Sequence, residues 1–304
     1  MEKKATRVAY GEYLAELGKT NENMVVLDAD LAGATQTQYF KKAFPDRFFD
    51  CGIAEADMVD IAAGMSTTGL IPFCSTFAVF AGRCFDQIRN TVCYPKLNVK
   101  FGFTHAGITL GEDGGSHQAL EDLALMRALP NMTVFVPCDA NETRRCVDAA
   151  LAINGPVYIR LARLPSPIFE MDMPFEPGKV NVLREGEDTM LLCCGVMVNE
   201  CLNAAELLAA QGKKVTVVNA HTLKPFDEEG VRALAAKYPR VFTVEEHNVI
   251  GGLGDAAAAA LVNLDGVRLT KLGVQDVFGQ SGKPADLLRA YKLDAESIAQ
   301  AVLA

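Results

Sequence analysis

The strongest constraint on this chain is an alternation that runs along almost its whole length. Short apolar runs of strand length are separated by amphipathic runs of helical length. "NMVVLDAD" (23–30), "LIPFCS" (70–75), "LNVKFGFTH" (97–105), "MTVFVP" (132–137) and "PVYIRLA" (156–162) read as strands. Between and around them, "VAYGEYLAELG" (8–18), "GIAEADMVDIAAGMSTTG" (52–69), "FAGRCFDQIRNTVC" (80–93), "ALEDLALMRAL" (119–129) and "NETRRCVDAALAI" (141–153) read as helices. Strands that are apolar throughout are buried on both faces. The pattern therefore predicts a parallel α/β sheet with helices on both sides.

The texture breaks at 164–186, "LPSPIFEMDMPFEPGKVNVLREG", which holds four prolines and few helix signals. A second block then repeats the alternation. "TMLLCCGV", "KKVTVVNA", "RVFTVEEH" and "VRLTKLGV" read as strands. "VNECLNAAELLAAQG", "EEGVRALAAKY", an alanine-rich stretch near 253–263 and two segments around 285–302 read as helices. The expected organisation is a first domain over 1–170, a linker over 171–186 and a second α/β domain over 187–304.

Charge and cysteine content narrow the function classes. The formal net charge is −9 with no Lys/Arg block, which argues against nucleic acid or an anionic membrane as partner. No apolar run is long enough to span a bilayer, and "MEKKATRVAYGEY" lacks the apolar core of a signal peptide. The nine cysteines are scattered without a CxxC pair, and Cys193 and Cys194 are adjacent. Reduced thiols in a cytoplasmic enzyme are the expectation.

In open α/β sheets, ligands gather at the carboxyl ends of the strands. Three segments follow strands and are expected to converge there: "DADLAGA" (28–34), "DCGIAEAD" (50–57) and "THAGITLGEDGGSHQ" (104–118). Glu55 opens an apolar helix. It is either a charge favoured at a helix N-terminus or a buried carboxylate that exchanges a proton with a ligand nitrogen. Phe77 and Phe80 have helical spacing, which fits core packing, yet they follow a strand end, where a flat ring can stack on a heterocycle. Arg163 ends a strand, either as a solvated charge or as a fork for phosphate.

The loop 104–118 carries His105, Glu112, Asp113 and His117 among four glycines. Its spacing matches no zinc pattern, histidine is an odd ligand for Mg²⁺, and no Gly-Lys-Ser/Thr follows, so no metal ligand is assigned in this chain. Two histidines and an aspartate suit gripping hydroxyls and phosphate and moving protons near neutral pH. "EEHNVIGGLGD" (245–255) is a weaker glycine signal and is expected to be a tight turn.

The segments "CGIAEADM", "STFAVFAGRCFDQIRN", "THAGITLGEDGGSHQALEDLALMRALPNM", "VYIRLAR" and "EEHNVIGGLGD" together resemble the C-terminal half of a transketolase, as found in the C-terminal subunit of a split transketolase. The resemblance spans nearly the whole chain. It implies a pyrimidine-binding α/β domain followed by a transketolase C-terminal α/β domain. It implies that Glu55 protonates the aminopyrimidine of thiamine diphosphate and so activates the cofactor toward a ketose carbonyl. It implies that Phe77 stacks on the pyrimidine with Phe80 beside it. His105 and Arg163 would hold a sugar phosphate, Asp113 would read a substrate hydroxyl, and His117 would lie close to the reacting centre.

Some positions depart from the family pattern. Gly33 or Ala34 stands where many members have a serine near the phosphate, and Arg83 stands where a tyrosine is usual. The family holds the diphosphate and Mg²⁺ through a GDG motif, which these residues lack. The resemblance therefore implies an N-terminal partner subunit that carries GDG, an α2β2 heterotetramer, and ketol transfer between sugar phosphates in the pentose phosphate pathway. Three alternatives stay open. One is an enzyme like deoxyxylulose-phosphate synthase, and a second is one like the β subunit of a 2-oxo acid dehydrogenase. The third is a scaffold or regulatory subunit that kept the fold.

Overall fold

The computed structural model describes residues 2–171 and 173–304. Its strands begin with β1 (Lys3–Ala5), β2 (Met24–Asp28), β3 (Phe48–Asp50), β4 (Ile71–Ser75), β5 (Lys100–Phe103), β6 (Thr133–Phe135), β7 (Val157–Arg160) and β8 (Pro165–Pro167). They continue with β9 (Asn181–Arg184), β10 (Thr189–Cys193), β11 (Val215–Asn219), β12 (Thr222–Lys224), β13 (Arg240–Asn248) and β14 (Arg268–Val274).

The first sheet has the order β12-β6-β7-β5-β4-β2-β3, and β2 to β7 all run parallel. The second has the order β14-β13-β10-β11-β9, with β9 antiparallel at its edge. β1 pairs with β8 in a separate two-stranded ribbon. Every residue of β2, β5, β7, β10 and β11 is buried, as expected of strands covered by helices on both faces. The expected α/β architecture is what the chain adopts. Among the described residues, no helix is long and apolar enough to cross a membrane.

Local chemistry explains the main helices. Asp139 accepts from the Glu142 amide at 2.8 Å and starts the helix Ala140–Ala152. Asp227 and Asp294 start the helices Glu228–Ala235 and Ala295–Leu303 in the same way. Gly102 lets β5 lie against the helix Thr6–Leu17, because a Cβ there would fall 2.2 Å from the Tyr10 hydroxyl oxygen.

Three features differ from the sequence reading. "FAGRCFDQIRNTVC" is not one helix. It is a 3-10 segment (Ala78–Arg83), a single turn (Phe85–Gln87) and a π segment (Ile88–Cys93), with Cys84 at φ −119° breaking the run. Apolar spacing of three to four residues does not separate these helix types. Within the expected linker, 181–184 forms β9 of the second sheet, and Asp172 lies outside the described residues. Finally, β12 follows the second domain's β11 yet joins the first sheet antiparallel to β6.

The two sheets also share core. Ile108, Leu120, Ala162 and Phe169 pack in one buried cluster with Leu191, Val196, Val244 and Val274. The segments at the carboxyl ends of β5 and β7 are thus backed by the second domain.

Candidate active site

Because β2 to β5 are parallel, the segments after β2, β3, β4 and β5 all emerge at one edge. Glu55 is the first residue of the helix Glu55–Ser66 and is 2% exposed. Its Oε2 lies 3.4 Å from Nε of the exposed Arg83. The helix N-terminus and the guanidinium both attract a carboxylate at this place. Arg83 reaches onward, with its Cζ 5.9 Å from the Phe80 ring centre.

Phe80 and Phe77 stack with their ring planes 2° apart and centroids 5.9 Å apart. His105 stacks on Phe77 at 3.8 Å, and His117 meets both rings edge-on at 6.5 Å and 5.9 Å. A continuous line of contacts therefore runs from Glu55 through Arg83 and the phenylalanines to both loop histidines. This set fits an aromatic, basic heterocycle: a carboxylate for a ring nitrogen and, beside buried Phe77, the partly exposed ring of Phe80 for stacking.

His105 is strained and buried. Its φ is +61°, and its Nδ1 shares a 2.8 Å hydrogen bond with the Thr104 hydroxyl. Left-handed backbone at a residue other than glycine is uncommon and clusters at functional sites. Burial lowers its pKa to about 3, with Arg7 and Arg163 adding repulsion, so the ring stays neutral. His117 is half-buried and shares a 2.9 Å hydrogen bond between its Nδ1 and the Ser116 hydroxyl.

Arg163 donates to the Leu110 carbonyl at 2.6 Å and lies 3.4 Å from Glu112. Arg7 donates to the Ala34 carbonyl, while its Nε is buried without a partner. Burial and the charge of Arg163 lower the pKa of Arg7. Two arginines thus share one electrostatic neighbourhood with a neutral histidine, an arrangement suited to an anion with several oxygens. Asp113 is exposed within the same loop. The structure brings together Glu55, Phe77, Phe80, His105, His117 and Arg163, and leaves Asp113 exposed on the same loop without a contact to them.

The sequence reading missed Arg7. The available signal was a cation in the first turn of the helix Thr6–Leu17, with no acid there, against the helix dipole. In the second domain, "EEHNVIGGLGD" is the expected turn with an added role. Glu245 accepts from the Leu253 and Gly254 amides at 2.7 Å and 2.8 Å and caps the helix Leu253–Leu261. Among the described residues, no three His, Cys, Asp or Glu side chains gather as a metal-ligand group.

Comparison with known proteins agrees with this geometry. Residues 2–167 match the family profile "Transketolase, pyrimidine binding domain", and residues 178–298 match "Transketolase, C-terminal domain". The chain is 48% identical to a protein of Methanocaldococcus jannaschii named as a transketolase C-terminal section, over 99% of this chain and 96% of that one. It is 43% identical to the 6-deoxy-6-sulfo-D-fructose transketolase subunit SqwH of Clostridium sp., over 97% and 92%. It is 40% identical to human transketolase, of which it spans 49%. A solved structure described as "Split gene transketolase, inactive beta4 tetramer" superposes with a TM-score of 0.89 at 51% identity, covering 99% of this chain and 98% of that one. A transketolase structure from Campylobacter jejuni gives 0.87 at 26% identity, with 47% of that chain covered. The chain belongs to the transketolase family and carries its pyrimidine-binding and C-terminal domains.

Proposed function

We propose that this chain is the C-terminal subunit of a split transketolase, transferring a two-carbon ketol unit from a ketose phosphate to an aldose phosphate. The observation that carries this reading is the line of contacts from buried Glu55 through Arg83, Phe80 and Phe77 to His105 and His117. It is supported by the near-complete coverage of a relative named as a transketolase C-terminal section and of a chain described as split-gene transketolase.

Thiamine diphosphate, when bound, supplies the electron sink for carbon–carbon cleavage. In this chain, Glu55 holds and exchanges a proton with the pyrimidine. Phe77 and Phe80 offer the apolar ring faces that orient it and exclude water. Arg7 and Arg163 gather positive charge for the sugar's anionic end, with neutral His105 as a hydrogen-bonding partner. His117, half-buried beside the rings, moves protons, and Asp113 accepts from a substrate hydroxyl. A partner chain bearing the GDG motif holds the diphosphate and Mg²⁺. Two copies of each chain assemble in the cytoplasm.

The test combines this chain with such a partner, thiamine diphosphate and Mg²⁺. Ketol transfer between sugar phosphates is expected, and oxidative decarboxylation of pyruvate is not. Absence of transfer from the mixture would overturn the activity. Full turnover by this chain alone would overturn the split.

The Clostridium relative favours one refinement, a sulfonate in place of the phosphate on the donor. Both are anions that Arg7 and Arg163 can accept, and a donor pair differing only in that group decides between them.

A further inference from the structure

The substrate loop does not stand on its own domain alone. Glu246, in β13 of the second domain, is 4% exposed and lies under the loop. Its Oε2 accepts from the Thr109 amide at 3.1 Å and from the Thr109 hydroxyl at 2.7 Å. Thr109 sits midway between His105 and Asp113. Gly107 makes the approach possible, because a Cβ there would fall 2.2 Å from the Glu246 carboxyl carbon.

Further contacts bind the same loop to the same domain. Ser281 donates its hydroxyl to the Glu112 carbonyl at 2.6 Å. The Gln118 amide bridges the Ile108 and Gln280 carbonyls at 3.0 Å each. A Cβ on Gly115 would fall 2.5 Å from the Gly279 carbonyl oxygen. Just past the loop, the Asn248 amide donates to Leu120 at 2.8 Å. The stretch carrying His105, Asp113 and His117 is thus tied to the second domain at its start, centre and end.

We propose that the second domain sets the geometry of the substrate loop, and that Glu246 is its principal positioning residue. This rests on the reading of the loop as the sugar-binding element of a transketolase. Glu246 touches neither sugar nor cofactor in this assignment. It acts through Thr109, by fixing the backbone between the loop's two histidines. Removing it leaves no orphaned buried cation. Arg160, whose Nη1 lies 3.9 Å from Glu246, keeps its two-point pair with Asp122 at 2.9 Å and 3.1 Å.

The experiment compares E246A, E246Q and E142Q in the full chain. E142Q is the control. It perturbs a separate buried contact between the domains, from Asn219 to Glu142 at 2.8 Å, that does not involve the loop. The first readout is amide hydrogen exchange over residues 104–118 of this chain alone, which needs no activity. E246A should speed exchange there at least tenfold, E246Q less, because its amide oxygen still accepts from Thr109, and E142Q not at all. The second readout is kinetics with the partner chain. E246A should lower kcat/KM for the sugar donor at least tenfold with thiamine diphosphate affinity within about twofold, and E246Q should restore part of it. Unchanged exchange in both Glu246 variants would overturn the proposal, as would an equal kcat/KM loss in E142Q. If wild-type enzyme transferred no ketol unit, the functional reading would fail while the exchange result still decided whether Glu246 sets the loop.

Discussion

Arg83 Nε lies 3.4 Å from Glu55 Oε2, joining an exposed guanidinium to a carboxylate that water barely reaches. The pair places a charged acceptor at a helix start on the rim of the aromatic patch. Glu55→Gln keeps size and shape but removes the proton acceptor. Turnover should fall by roughly 10²–10⁴, the range for loss of a general acid–base group. Assembly with the partner chain, followed by co-purification, should be unchanged. A variant that kept full turnover would revive the scaffold alternative.

Arg163 divides its donors between the Leu110 carbonyl and Glu112, with Arg7 and His105 in its field. Arg163→Ala should raise KM for phosphorylated donors by about 10- to 100-fold, equivalent to the ~1.5–3 kcal/mol of a hydrogen bond to a charged group. KM for an unphosphorylated donor should move far less. Equal losses on both donors would mean that Arg163 only props up the loop.

Gly102 packs β5 onto Tyr10, whose hydroxyl is 3.0 Å from Ser75 and whose ring is fully buried. A methyl group at this site has nowhere to go. Gly102→Ala should cost about 1–3 kcal/mol or more, as overpacking does, and lower Tm by several degrees in a thermal melt. Unaltered Tm would show that the helix Thr6–Leu17 shifts freely on the sheet.

The sheet was legible because burial on both faces writes each strand as an uninterrupted apolar run, as in β2 and β5. The loop was legible because its histidines and glycines are a local signal. Arg7 was not, since it lies in the first helix and reaches the neighbourhood of His105 and Arg163 only through the fold. β12 was not, because three residues that pair with a strand of the other domain leave no periodicity to read. The role of Glu246 was hidden for the same reason, as its partner Thr109 lies far away in sequence. Pattern reports what a segment buries, and long-range partners emerge only when the segments are assembled.

Three buried histidines should shape stability in acid. Burial lowers His105 to about 3, and His221 and His247 to about 4, from an ordinary value near 6.5. His221 packs against Phe175 with ring centroids 4.3 Å apart and planes tilted by 30°, shares a 2.8 Å hydrogen bond with Thr222, and leaves its Nε2 buried without a partner. Between pH 4 and 6.5, the unfolded chain binds a proton at His221 that the folded chain does not. Its contribution is therefore fully present above about pH 6.5 and lost as pH falls toward 4. Glu142 and Glu245, pushed up to about 7, and Glu246, pushed up to about 6, act oppositely and weaken the fold as pH rises through that range. The wild-type curve therefore mixes both slopes, and the difference between wild type and His221→Asn isolates one of them. That difference should change by up to about 1.4 kcal/mol per pH unit, the value for one proton. The variant should gain relative to wild type as pH falls from 6.5 to 4. Urea unfolding at half-unit pH steps checks this, and a difference that stayed flat would mean that His221 takes up its proton without unfolding.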